Sequence, residues 1–366
     1  MPFHVGSDLI REIDEAHRER RGRVRDGHLP AAGQGDHAGA EGLDALSEQG
    51  LKHGALLGVA WACLSRTWGQ WRWIGRYFGH EKRIGPISGS LNTVGKGVRM
   101  RNENGWRPSK IDWQPDGSWR IRSTGVGAGS LLTATLQQAA LIPLVRRHVR
   151  GDVADIGAGE APFYGGYRDQ ALSIVCVDWG QSLHDVGRHS DHLADLNVAL
   201  PLDSESVDAA LMSSVLEHIA EPKRLLSEVA RVLRTGGALV LEVPFLYWLH
   251  EEPHDYHRYT CHALKHMAEQ AGLEVEALEA YGHAPAVLVD IQSKLAITLI
   301  DGAVGRAPRR VRGVMRRVGH GVVRLYQRLA LAAFNLPWVR RALQGSRLQA
   351  SFPLGYVAVL RRKAAA

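Results

Sequence analysis

The chain has 366 residues, of which 45% are hydrophobic and 23% are charged, and its net charge is +7. At roughly 100–200 residues per domain, this length predicts one large domain with additions, or two domains. Its three widely spaced cysteines form no CxxC pair, which argues against a disulfide or zinc framework and favours a reducing compartment. The early sequence has neither a secretory pattern nor an apolar run long enough to span a bilayer, so we predict a cytoplasmic protein.

The first third of the chain has weak patterns. Residues 1–50 are rich in Gly, Ala, His and Asp and poor in apolar side chains, which predicts a flexible N-terminal segment. Residues 51–129 are rich in Trp, Gly and Arg without a clean period, and we expect a small covering region there. Residues 130–149 have helical spacing and lead into the region with the clearest pattern.

Strands and helices alternate from Asp152 onward. Short apolar runs without polar alternation are typical of parallel strands buried on both faces, and the runs are VADI, SIVCV, VDAALMSSV and ALVLEV. A helix from Pro222 carries an apolar stripe and should stop at Gly236 and Gly237, while Thr260 can cap a further helix. This series predicts an α/β fold with a Rossmann-like, doubly wound, mostly parallel sheet.

The predicted strand ends carry small and acidic residues. Gly157 and Gly159 allow a tight turn and a close backbone approach to a ligand, although they could also serve only to shape the turn. Asp155 and Glu160 in the same segment suit a ligand with positive charge better than a pyrophosphate. Asp178 ends the second strand, where a carboxylate can accept hydrogen bonds from both hydroxyls of a ribose.

Taken in order from about residue 151 to 282, five segments resemble the class I S-adenosylmethionine-dependent methyltransferases: DIGAG, Asp178, ADLN, LPLDSESVDAALMSSVLEHI and RVLRTGGALVLEVP. The resemblance implies that the cofactor is S-adenosyl-L-methionine. It further implies that Asp155, Gly157 and Gly159 line the methionine end of that cofactor and that Asp178 holds its ribose.

The same resemblance assigns the next two strand ends. Asp195 would bind the adenine amino group with Leu196 beside the ring, and Ser213, Ser214 and His218 would lie near the methyl group. Two alternatives stay open: Asp195 as a turn residue, and His218 as a helix-start histidine bonded to the backbone.

The run WLHEEPHDYHRYT, residues 248–260, holds three histidines, three carboxylates and two tyrosines. His250 to His254 match the H-E-x-x-H pattern of zinc peptidases, which requires both histidines on one face of a helix. Pro253 would break that helix, so we predict no metal site. Because the run follows the strand ALVLEV, we expect it over the cofactor cleft.

A hydroxyl acceptor needs a base near neutral pH, and His250, His254 and Asp255 are the catalytic candidates. The alternative is that Asp255, Arg258 and Tyr259 form a structural knot that fixes the loop. The segment PHDYHRYT resembles one in family members associated with bacterial glycan and secondary-metabolite pathways, which implies a sugar hydroxyl as acceptor.

The positive charge is a property of the C-terminal region, since residues 302–366 contain 14 Lys and Arg and no Asp or Glu. Residues 356–360 predict a last strand, and the resemblance implies that it is antiparallel and at the edge of the sheet. The methyltransferase core would then comprise 130–283 with 353–366, and residues 284–352 would be a basic helical insertion before the last strand.

Within that insertion, apolar residues from Val311 to Leu329 keep helical spacing among arginines. Such a helix predicts peripheral contact of residues 306–338 with an anionic membrane on its inner face, or equally a helical cap or a dimer contact. Nucleic acid is a weaker prediction, because no RNA-binding module accompanies the charge.

The combined prediction is a methyltransferase that modifies a hydroxyl of a sugar, glycan or small molecule. An RNA methyltransferase and a non-catalytic S-adenosylmethionine-binding protein with a membrane-docking helix are the alternatives.

Overall fold

The computed structural model describes residues 99–114, 116–180 and 188–364. The predicted flexible segment 1–50 and most of the predicted covering region, 51–98, lie outside the described residues. Everything described below belongs to one compact unit of the chain, Ser88–Ala366.

The described residues form two sheets. The smaller is an antiparallel pair of β1 (Ile111–Trp113) and β2 (Trp119–Ile121). The larger contains β3 (Gly151–Ile156), β4 (Ala171–Asp178), β5 (His192–Leu193), β6 (Val207–Ser213), β7 (Leu233–Pro244), β8 (Leu273–Tyr281) and β9 (Gly355–Arg362). Its strand order is β5-β4-β3-β6-β7-β9-β8.

The first strand of the large sheet lies near its centre. β3 pairs in parallel with β4 on one side and with β6 on the other, so the chain winds outward in both directions from this point. Open α/β sheets bind ligands in the crevice outside the carboxyl ends of the strands at such a switch point. The predicted doubly wound, mostly parallel α/β fold is confirmed.

The last strand occupies a different position from the predicted one. β9 is antiparallel, as expected, but it lies between β7 and β8 instead of at the edge. Six of its eight residues are buried, whereas β8 exposes alternate side chains such as Glu274 and Glu276. An edge strand with one solvated face tolerates charges that an inner strand does not, so β8 forms the edge.

Eight α-helices lie within the described residues: α1 (Leu131–His148), α2 (Tyr164–Tyr167), α3 (Pro222–Val232), α4 (Cys261–Gln270), α5 (Ala284–Arg306), α6 (Arg309–Phe334), α7 (Pro337–Leu343) and α8 (Arg347–Ser351).

Two predicted helix starts are confirmed. Pro222 occupies the first turn of α3, and the hydroxyl of Thr260 accepts the backbone amide of Ala263 at 3.2 Å. The predicted stop at Gly236 and Gly237 is wrong, because α3 ends at Val232 and both glycines lie in β7. Fully buried Leu233 already pairs with Val207 of β6, so the chain enters the sheet before the glycines.

Both faces of the large sheet are covered. Ala154 and Ile156 of β3 pack with α3 and α4 on one face, while Val153 packs with α1, α2 and α5 on the other. Burial on both faces explains the continuous apolar runs in the sequence.

The predicted insertion, 284–352, consists of helices α5 to α8. Gln327 of α6 joins it to the core: its amide donates to the Ala128 carbonyl at 2.9 Å and its oxygen accepts the Leu132 amide at 2.8 Å. Another stripe of α6 stays between 40% and 62% exposed, and it comprises Val311, Val314, Met315, Val318, Val322, Leu325 and Leu329. Among the described residues, no helix combines the length and apolarity needed to cross a membrane.

Candidate functional site

The loop after β3 turns tightly across the end of β4. The amides of Gly157 and Ala158 both donate to the carbonyl of Val177, at 2.8 and 3.2 Å. Gly157 has a φ of +69°, and a Cβ at this position would lie 2.3 Å from Cγ2 of Val215, in the loop after β6. Both the backbone conformation and the space therefore require glycine.

The acidic residues predicted for the cofactor meet at this loop. The carboxylate of Asp178 accepts the amide of Gly159 at 2.8 Å and that of Trp179 at 2.7 Å. Asp155 is buried and accepts the hydroxyl of Tyr167 at 2.7 Å. Burial raises the pKa of Asp155 to about 7, the charge of Asp178 adds to this, and the Tyr167 hydrogen bond opposes it.

The third strand end is close by, since the amide of Ala194 donates to the Asp178 carbonyl at 2.9 Å. Asp195 is exposed, and its Oδ1 accepts both the backbone amide and the side-chain amide of Asn197, at 2.9 and 3.0 Å. This is the geometry of a turn residue, which is the alternative to adenine binding that the sequence leaves open for Asp195. Leu196 is buried in the core beneath it.

Ser213 and Ser214, at the end of β6, both bind one buried carboxylate. The hydroxyls of Ser213 and Ser214 both donate to Oε2 of Glu242, at 3.0 and 2.9 Å, and Tyr281 donates to its Oε1 at 2.7 Å. Glu242 is fully buried in β7 and was not among the predicted residues. The sequence marks Glu242 as a carboxylate inside the apolar run ALVLEV, and a buried carboxylate needs hydrogen-bond donors from other segments.

The 248–260 run lies over these strand ends and contains no helix. The imidazole of His254 packs edge-on against Trp179, with ring centroids 5.0 Å apart, and Trp179 directly follows Asp178. The amide of Tyr256 donates to the carbonyl of Glu217 at 2.9 Å, which ties the run to the short 3-10 turn after β6. The predicted position of the run beside the cofactor residues therefore agrees with the structure.

Asp255 belongs to this run and forms a clamp within it, the ion pair of Asp255 with Arg258. Its two carboxylate oxygens pair with Arg258 at 2.6 and 2.8 Å, and Oδ2 also accepts the amide of His250 at 2.9 Å. Burial alone would raise the pKa of Asp255, but these hydrogen bonds outweigh it and hold the pKa at about 2. A carboxylate so weakly basic and 2% exposed suits the structural alternative better than general base catalysis.

The two predicted catalytic histidines have different surroundings. His254 is exposed on the surface of the run, and its Nδ1 lies 3.1 Å from the hydroxyl of Tyr256. His250 points inward to His218, with ring centroids 4.8 Å apart. The Nε2 atoms of His250 and His218 lie 3.8 and 3.7 Å from the same atom, Oε1 of Glu217.

No sequence pattern singled out Glu217, although it stands next to His218 in the LEHI segment. Its side chain is fully buried, and neither carboxylate oxygen has a hydrogen-bond partner within the described residues. Burial raises the pKa of Glu217 well above the usual range, and the nearby Glu242 raises it further. Glu217, His218 and His250 are the described residues whose donor atoms lie close enough together to share a metal ion.

A family model described as a methyltransferase domain matches residues 154–241. The chain is 34% identical over 93 residues to a demethylmenaquinone methyltransferase of Renibacterium salmoninarum, over 24% of this chain and 39% of that protein. It is 36% identical over 104 residues to an uncharacterized methyltransferase of Mycolicibacterium gilvum, over 26% of this chain and 40% of that protein. The chain thus spans less than half the length of these curated relatives.

A solved structure of a SAM dependent methyltransferase from Archaeoglobus fulgidus aligns with a TM-score of 0.37 and 17% identity, over 64% of this chain and 95% of that chain.

Proposed function

We propose that this chain, whose residues 154–241 form a class I S-adenosylmethionine-dependent methyltransferase domain, methylates a hydroxyl group of a sugar, glycan or small molecule. S-adenosyl-L-methionine, the cofactor predicted from the sequence, is the cofactor of this family. The observation that carries the choice of a hydroxyl is the histidine-bearing run at the ends of β4 and β6, beside Asp178.

The residues of the strand ends fit this cofactor. Gly157 leaves space for a ligand-binding backbone turn that a Cβ would close, and the buried pair of Asp155 and Asp178 favours a ligand with positive charge. Asp178 accepts the amides of Gly159 and Trp179 at the end of β4, and a carboxylate at the end of the second strand is the group that hydrogen-bonds a ribose in doubly wound nucleotide-binding sheets. When bound, S-adenosyl-L-methionine supplies an electrophilic methyl group on a sulfonium.

Methyl transfer is an in-line displacement, so the chain contributes mainly by positioning the acceptor and by accepting its proton. His254 is the base candidate that the geometry favours, because it is exposed over Trp179 next to the ribose-binding carboxylate. Asp255 and Arg258 act by positioning, since they fix the loop that carries this histidine. The exposed rings of Trp248 and Tyr256 offer flat apolar surfaces for a cyclic acceptor.

The test is transfer of a labelled methyl group from S-adenosyl-L-methionine by the full chain to a panel of sugars, oligosaccharides, lipid-linked glycans, small-molecule alcohols and RNA. Label in an ether of a carbohydrate or alcohol is the expected result, and Asp178→Ala controls for dependence on the cofactor site. Label in RNA would favour the RNA-methyltransferase alternative. Cofactor binding by calorimetry without transfer to any member of the panel would favour the non-catalytic alternative.

We also propose that α6 brings the protein to an anionic membrane surface. At about 100° per residue, the seven exposed apolar residues of α6 fall in one sector of roughly 100°. Arg310, Arg317 and Arg328 lie along one side of this sector and Arg312 along the other, all of them exposed, and residues 302–366 carry no acidic side chain that would repel anionic lipid. An apolar stripe bordered by arginines is the pattern of a helix lying in a membrane interface.

Sedimentation of the full chain with vesicles of phosphatidylglycerol and of phosphatidylcholine tests this proposal. Binding to the anionic vesicles alone is expected, with loss in Val318→Asp but not in Gly305→Asp, an exposed position of α5 with open space around it. If neither vesicle binds and Val318→Asp instead abolishes a dimer seen by analytical ultracentrifugation, the stripe is an interface between copies of the chain.

A further inference from the structure

We propose that Glu217, His218 and His250 bind a divalent transition-metal ion, with zinc as the representative case. Two of these ligands are adjacent on the 3-10 turn after β6, and the third comes from the 248–260 run that crosses above it. The site uses one histidine of the H-E-x-x-H pattern and not the other, so the objection that Pro253 raises against a helical zinc motif does not apply to it.

The donor atoms already lie near the separations that a metal requires. The Nε2 atoms of His218 and His250 are 3.7 and 3.8 Å from Oε1 of Glu217, and the three ligand atoms all lie within 4.8 Å of one another. Zinc bonds of about 2.0–2.2 Å in a tetrahedral arrangement place ligand atoms about 3.3–3.5 Å apart. The two distances to Glu217 exceed this range by a few tenths of an ångström, and a separation of 4.8 Å, the upper bound within the cluster, would have to close by about an ångström.

The carboxyl group of Glu217 is the part of the cluster that needs a partner. Glu217 is fully buried, and both of its oxygens lack a hydrogen-bond partner within the described residues. An ionised carboxylate offers acceptors alone, and a neutral imidazole offers one acceptor nitrogen. Buried polar groups are almost always satisfied, so an unpartnered carboxylate facing two imidazoles indicates a cation between them.

The far side of the His218 imidazole is arranged as in a metal-bound histidine. Nδ1 of His218 lies 2.8 Å from the carbonyl of His254, which can only accept, so Nδ1 carries the proton and Nε2 turns its lone pair toward Glu217. Nδ1 of His250 accepts a hydrogen bond from Nη2 of Arg258 at 3.4 Å and also lies 3.3 Å from the Asp255 carboxylate, so a metal on Nε2 requires Nδ1 to carry the proton and donate to Asp255 instead. A histidine ligand usually donates its other ring N–H to a carbonyl or carboxylate, which orients the ring.

The ligand set determines the class of ion. Two imidazoles and one carboxylate suit zinc and its first-row neighbours, whereas calcium and magnesium take oxygen ligands. Three protein ligands leave a further coordination position, as in catalytic zinc sites. The side chains of His218 and His250 are 15% and 20% exposed, so that position is accessible from one side.

The metal site would deepen the proposed function. A bound ion at the end of β6 could coordinate the acceptor hydroxyl and make its proton easier to remove, in the manner of metal-bound water. This consequence rests on the proposed methyltransferase activity, whereas the metal binding itself does not.

The experiment measures metal directly. The full chain, prepared without a histidine tag and stripped with a chelator, is titrated with zinc by calorimetry, and the metal content is measured after dialysis. We expect one zinc per chain, and at least 100-fold weaker binding in Glu217→Gln and in His250→Ala. His254→Ala is the matched control: it removes an imidazole of the same run, outside the cluster, and retains the carbonyl that orients His218.

Binding of S-adenosyl-L-methionine by each variant shows whether it is folded, and it also separates the two proposals. A wild-type chain that binds the cofactor but no zinc overturns the metal site and leaves the methyltransferase proposal standing. In that case Glu217→Gln should raise Tm, because a neutral amide replaces a buried acid. Zinc lost in His254→Ala and kept in His250→Ala would also overturn the site.

Discussion

Gly157→Ala tests the tight loop after β3, on which the cofactor site depends. A left-handed backbone costs an L-residue about 1–2 kcal/mol, partly offset by about 0.4–1 kcal/mol from the stiffer unfolded chain. The new Cβ would also lie 2.3 and 3.1 Å from the two γ-carbons of Val215, which is 8% exposed and cannot rotate away freely. Overpacking of this kind costs about 1–3 kcal/mol, so the sum is about 1–5 kcal/mol.

Gly272→Ala is the matched control, because Gly272 has a φ of +76° but no atom within 4 Å of its added Cβ. Urea unfolding should give a loss of about 1 kcal/mol for this variant, the backbone cost alone. Cofactor affinity measured by calorimetry should fall in Gly157→Ala and remain unchanged in Gly272→Ala.

The double variant Gly157→Ala with Val215→Ala should recover part of the loss, with a coupling energy of about 1–3 kcal/mol. Equal destabilisation of the two glycine variants, or no coupling with Val215, would refute the claim that the loop is closed by this contact.

Three further predictions concern the carboxylates of the site. Asp178→Ala should weaken S-adenosyl-L-methionine binding at least tenfold by calorimetry without unfolding the chain, and unchanged affinity would remove Asp178 from the site. The raised pKa of Asp155, about 7 against 3.8, favours the protonated folded state, so its stabilising effect is complete below about pH 4 and is lost as the pH rises to 7. At about 1.4 kcal/mol per pKa unit, the contribution of Asp155 to the free energy of unfolding is at most about 4 kcal/mol. Urea unfolding of Asp155→Asn and of the wild type from pH 5 to 8 should show that this contribution declines with pH in the wild type alone. The depressed pKa of Asp255, about 2, has the opposite sign, so its contribution is present above about pH 4 and disappears as the pH falls through 2. Asp255→Ala should lower the free energy of unfolding by about 2–3 kcal/mol at pH 7 in the same assay. This is less than the loss expected for a fully buried pair, because Arg258 keeps 20% of its side chain exposed. A loss below about 0.5 kcal/mol would contradict the clamp.

Features that depend on neighbours in the chain were predictable. The apolar runs predicted the parallel strands, Pro222 and Thr260 marked helix starts, and the spacing of Gly157 and Gly159 indicated a tight turn. Each follows from local backbone preferences or from burial on both faces of a strand. The end of α3 was wrong because pairing between Leu233 and Val207, which are distant in the chain, outweighed the local signal of two glycines.

The position of β9 and the carboxylates under the site depended on long-range contacts. The apolar run of 355–360 is compatible with an inner strand, but its place between β7 and β8 is decided only by pairing with both of them. Glu242 needs Ser213, Ser214 and Tyr281 from two other segments before its burial becomes favourable.

The cluster of Glu217, His218 and His250 joins residues more than 30 positions apart, through hydrogen bonds between a loop and a turn. The sequence alone supplied the residue types that carry chemistry and the order of the strands along the chain. The tertiary structure decided which side chains meet, because a buried charge acquires its partners, and so its pKa and its role, only when the strand ends come together.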